Sequence, residues 1–142
     1  PATWFPEAPM RSTAFARPSG ISTEAMAYGM FPSYFSGDAS MKHFFRNPEL
    51  YNAVRPLFVK YLPIIRRVAE AGWRPVNRRL PLTAETGVLA EQFGESLVTL
   101  FNPSPEEPKT VSVPPCRELV SGSPVAGSLA APTERCLVLS FD

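Results

Sequence analysis

PELYNAVRPLFVKYLPIIRRVAEAGWRP, residues 48–75, decides how the rest of the chain is read. Leu57, Phe58, Tyr61, Leu62, Ile65, Val68 and Ala69 recur at helical spacing, and Lys60, Arg66, Arg67 and Glu70 fall mainly opposite. That pattern is one amphipathic helix with a single apolar stripe. Asn47 suits the N-cap, Pro48 the first turn, and Glu49 the positive end of the helix dipole. Gly72 offers the C-terminal cap, with Pro75 just beyond it. Pro56 is expected to break or restart the helix and Pro63 to bend it, because proline lacks an N–H and clashes with the preceding turn. The stripe needs an apolar surface to cover it. A charge at Leu62 or Ile65 is therefore expected to destabilise the chain by several kcal/mol, on the order of a buried unpaired charge.

Upstream of the helix the pattern dissolves. Residues 1–24 carry Pro6, Pro9 and Pro18 among Ser, Thr and Gly, and hold neither helical nor strand period. They read as an irregular arm, with Trp4, Phe5, Phe15 and Ile21 as the residues that would lie against something. Residues 25–31 are a short apolar run stopped by Pro32, which fits a buried strand. Residues 33–45 mix aromatics with Ser, Gly and Asp and read as a loop.

Downstream the period changes. Residues 88–93 and 97–101 read as strands joined across Gly94, Glu95 and Ser96 in a hairpin. Residues 102–108 form a proline-punctuated loop, and residues 109–113 alternate as a third strand. Residues 118–120 read as a strand with a turn at 121–124, and residues 137–141 close the set. Short strands with turn signals between them argue for a small antiparallel sandwich. The fold class is α+β: an irregular N-terminal arm and one long amphipathic helix, followed by a small antiparallel β-sandwich. The division falls between residues 1–75 and 76–142.

Composition bounds the function. The 142 residues hold 14 basic and 13 acidic side chains, for a net charge of +1, and give no electrostatic reason to expect nucleic acid or an anionic membrane as partner. No apolar run approaches the roughly 20 residues of a membrane span. No basic-then-apolar leader follows Pro1, which leaves the compartment open. Seventeen prolines against 8 glycines point to rigid connections. Cys116 and Cys136 read as two unrelated thiols or, in an oxidising compartment, as a disulfide across the C-terminal strands. With one distant histidine they make no metal site, and no cofactor is implied. The nucleophile elbow, the phosphate-binding loop and the HExxH zinc motif are all missing from the sequence.

The phrases AYGMFPSYFS, NPELYNAVRPLFVKYLPIIRRVAEAGWRPV, VLAEQFGESLVTLFNPSPEEPKTVSV, RELVSGSPV and the closing LVLSF, in that order, resemble the C-terminal end of a β/α-barrel glycoside hydrolase with its trailing β-sandwich. The resemblance covers roughly residues 25–142. It implies that residues 1–75 are the end of the barrel (arm, last strand, loop and helix) and residues 76–142 the appended domain. The chain lacks most of the barrel, which takes about 250 residues. Glycoside hydrolysis uses two carboxyl groups on either side of the scissile bond, and of the acids here only Asp38 lies on the loop that would face the barrel mouth. The catalytic pair is thus not carried by this chain. What the resemblance implies instead is carbohydrate contact from Tyr34, Phe35, Asp38 and His43, aromatic faces stacking on sugar rings and polar groups bonding hydroxyls. The alternative is a non-catalytic carbohydrate-binding or assembly module, docking on a partner or on a second copy through its apolar helix face.

Overall fold

The computed structural model describes residues 24–31, 48–74 and 82–142. The N-terminal arm, the aromatic loop, the capping Asn47 and Pro75 lie outside the described residues. Among the described residues two helices and seven strands follow in order: α1 (Glu24–Ala27), α2 (Pro48–Ala71), β1 (Trp73–Arg74), β2 (Thr83–Ala84), β3 (Leu89–Phe93), β4 (Leu97–Phe101), β5 (Lys109–Glu118), β6 (Pro124–Ala131) and β7 (Cys136–Ser140).

α2 runs unbroken from Pro48 to Ala71 with both internal prolines inside it, so the break expected at Pro56 is not there. Each proline removes one backbone bond, to the carbonyl four residues earlier. Those carbonyls belong to Asn52 and Val59, both exposed residues, where water can take the place of the missing N–H. Gly72, at φ 81°, ends the helix as expected.

The strand expected over residues 25–31 is instead the short helix α1 and its cap. Gly29 takes φ 68°, its N–H donates to the carbonyl of Met26, and the N–H of Met30 donates to that of Ala25 at 2.9 Å. This is a Schellman closure. An apolar run of this length has no period that tells a strand from a buried helical turn, and a glycine two residues past the helix end settles it. Met26 and Ala27 are buried, and the Thr99 hydroxyl donates to the Ala27 carbonyl at 2.6 Å, tying α1 to β4.

The strands form one hydrogen-bonded sheet, where two facing sheets were expected. Its order is β1-β3-β4-β7-β5-β2, with β6 also paired to β5, and every strand pair is antiparallel. The hairpin β3–β4 falls where the sequence places it. β5 is twice as long as expected. Val111 pairs with both Ala84 and Leu129, and Arg117 with both Ser140 and Pro124. β2 and β7 therefore share one edge of β5, and β6 takes the other. The register shifts between Val113 and Cys116, at the Pro114–Pro115 pair that cannot donate to a ladder. The sheet as a whole is a half-barrel over its own apolar face.

Alternation along each strand then gives the sheet two different sides. On the curled-in side Val98, Leu100, Val111, Val113, Ala131 and Leu139 pack together. On the other, Phe93, Leu97, Phe101, Cys136 and Val138 pack against Met26 and Ala27 of α1 and Ile65 and Val68 of α2. All five residues of β4 are buried, as they must be in a central strand covered on both faces. The hairpin tip meets the helix end directly. Gly94 N–H donates to the Gly72 carbonyl at 2.8 Å, and a side chain at Gly94 would meet Ala71 at 3.2 Å.

Candidate functional site

Tyr34, Phe35, Asp38 and His43 lie outside the described residues, so their arrangement is not defined. Among the described carboxylates, Glu70, Glu95, Glu107, Glu118 and Asp142 are engaged in ion pairs or backbone hydrogen bonds. Glu118 is the one buried carboxylate among the described residues. Its Oε1 accepts the N–H groups of Val120 at 2.9 Å and Val138 at 3.4 Å, and its Oε2 accepts that of Ser121 at 2.6 Å. Three backbone donors make it the lock of the turn after β5, which replaces the strand expected at 118–120. At the surface Arg66 pairs with Glu70 and Lys109 with Glu107, each at 2.7 Å, and Arg67 pairs with Asp142. The Lys109 ammonium holds the Glu107 carboxyl below its ordinary range and is itself raised in return.

Both cysteines are free thiols on opposite sides of the sheet, Cys136 in the helix-side core and Cys116 against the curled-in core. Burial pushes the Cys136 thiol far above the ordinary range, and the nearby Glu118 carboxylate adds to it. A thiol held neutral in this way is an inert core residue. Among the described residues no group of three or more His, Cys, Asp or Glu side chains could hold a metal ion. Among them, too, no helix is long and apolar enough to cross a membrane.

One exposed arrangement stands out, and the sequence reading passed over it. Trp73 follows the Gly72 cap on the edge strand β1 and is 53% exposed. It pairs with Phe93, so its indole lies on the helix side of the sheet, next to the outward end of β3. The indole N–H donates to Glu91 Oε2 at 2.9 Å. Beside it Arg74 pairs with Glu95 at 2.5 Å across the hairpin tip. The signal was a tryptophan placed directly after a helix-ending glycine, where no helical stripe can bury it.

No family model and no curated protein matches this chain. Among solved structures it is similar to Gan42B, a GH42 β-galactosidase from G. stearothermophilus, and to a catalytic mutant of that enzyme. Both show 18% identity and a TM-score of 0.37, over 60% of this chain and 12% of that chain. The present chain thus spans only a small part of those proteins. At this identity and overlap the likeness decides neither fold nor activity.

Proposed function

We propose that this chain is the C-terminal part of a carbohydrate-active glycoside hydrolase. In this reading residues 1–75 are the end of its barrel and residues 76–142 its trailing β domain. The observation that carries the reading is an order. An amphipathic helix closed at Gly72 is followed at once by an antiparallel sheet, and the phrases that resemble the family, VLAEQFGESLVTLFN and PKTVSV, supply β3, β4 and the first half of β5. The whole protein would hydrolyse a glycosidic bond with an acid and a second carboxylate from barrel strands outside this chain. The loop residues Tyr34, Phe35, Asp38 and His43 would then contact the sugar.

The test is to express the longer reading frame and assay it on aryl glycosides beside the 142-residue chain. Turnover by the longer protein and none by the chain is expected. Turnover by the chain itself, or by neither, overturns the reading. A second reading, a non-catalytic carbohydrate-binding or assembly module, is favoured by the apolar stripe of α2, where Leu57, Phe58 and Leu62 are only half-buried. A concentration-dependent dimer in sedimentation, dissolved by Leu57→Lys, would support it.

A further inference from the structure

We propose that Trp73 and Glu91 form a binding platform for a pyranose ring of an oligosaccharide, a proposal that rests on the carbohydrate-active reading. An indole is the largest apolar surface a side chain can offer, and it carries one polar handle. Here the handle is already engaged by Glu91 Oε2, while the residue as a whole stays 53% exposed. Pairing of Trp73 with Phe93 and the Gly94-to-Gly72 bond fix the backbone that carries the ring, and the Glu91 hydrogen bond orients the indole itself. A ring fixed before the ligand arrives has little ordering left to lose on binding.

The chemistry around the ring selects the ligand. The axial C–H groups of a pyranose make a flat apolar face that stacks on an indole, and its equatorial hydroxyls project at the rim. Glu91 Oε1, without a partner among the described residues, accepts one of those hydroxyls. Arg74 and Glu95 place both charge signs at the neighbouring hairpin tip. A nucleotide could also stack, but its phosphate would meet the Glu91 carboxylate. The charge arrangement favours a neutral ring.

The test uses the full 142-residue chain, with lactose and cellotetraose as probes. In a Trp4→Phe background Trp73 is the remaining tryptophan, and its fluorescence should shift saturably at millimolar sugar. Calorimetry in the natural background should show affinity falling about tenfold in Trp73→Ala and about threefold in Glu91→Gln. Circular dichroism of both variants should be unchanged, since the two side chains are not core. No saturable response to either sugar overturns the platform, as does unaltered affinity in Trp73→Ala. Unaltered affinity in Glu91→Gln with loss in Trp73→Ala removes Glu91 from it. Binding here with no glycosidase activity in the longer protein would sink the hydrolase reading and leave the platform standing. Hydrolysis without binding at Trp73 would do the reverse.

Discussion

The two halves of α2 carry the same apolar stripe and meet different surroundings. Ile65 and Val68, in the half nearer Gly72, are fully buried against the sheet, with Tyr61 and Ile64 packed at the rim of that core. In the half nearer Pro48, the stripe residues Leu57 and Phe58 are only half-buried. The stripe sets the direction in which a helix faces. How far it is covered depends on how far the strands beneath it reach, and β3, β4 and β7 are only five residues each.

The sharpest way to break this comparison is Ile65→Asp. A charge placed at a position with no exposed surface should cost about 4 kcal/mol or more, read as a lowered midpoint in urea. An equally stable variant would show the inner half to be as open as the outer. Next comes Glu118→Ala, which strands three backbone N–H groups and loosens the turn that holds Leu119 and Val120 against the same core. A loss of about 3 kcal/mol is expected by thermal unfolding.

Gly29→Ala probes the α1 side of that core. Its Cβ would sit 2.8 Å from Phe93 Cε1 and 3.4 Å from Val68 Cγ1, on a backbone at φ 68°. About 2 kcal/mol should be lost, while alanine in place of Gly87, which has nothing within 4 Å, suffers from its φ alone. The Cys136 thiol adds a pH dependence. Its folded value is raised, so the folded state keeps a proton that the unfolded state gives up. Stability should be full below the ordinary thiol range and fall by about 1.4 kcal/mol per pH unit above roughly pH 8.5. Cys136→Ala should remove most of that slope in alkaline unfolding curves, leaving the part that comes from Cys116, whose thiol burial also raises. The smallest effect is expected of Leu57→Asp, in the outer half, under about 1 kcal/mol, because water reaches this half-buried position. A loss matching that of Ile65→Asp would erase the difference between the two halves.

The long helix and the β3–β4 hairpin were legible because local signals coincide there. A stripe, a first-turn proline and a glycine stop bound the helix, and two apolar runs flank Gly94. The short helix α1 was missed because residues 25–31 are apolar throughout, which erases periodicity. β6 was missed for the opposite reason. PVAGSLAA is small, mostly exposed and interrupted by Gly127 at φ 79°, and it becomes a strand only because β5 lies beside it. The expected sandwich is one sheet because the long β5 pairs with β2, β6 and β7 at once, a tertiary consequence that strand-by-strand patterning does not carry. Of the candidate site, the aromatic loop residues lie outside the described residues. Trp73 gains its setting from Glu91, a neighbour 18 positions away.

The backbone bond between Gly94 and Gly72 has a mechanical consequence. The tip of the β3–β4 turn is fastened to the last turn of α2, and the Arg74–Glu95 pair braces the same joint. The end of the 24-residue helix is thus pinned to the sheet at the turn as well as through Ile65 and Val68.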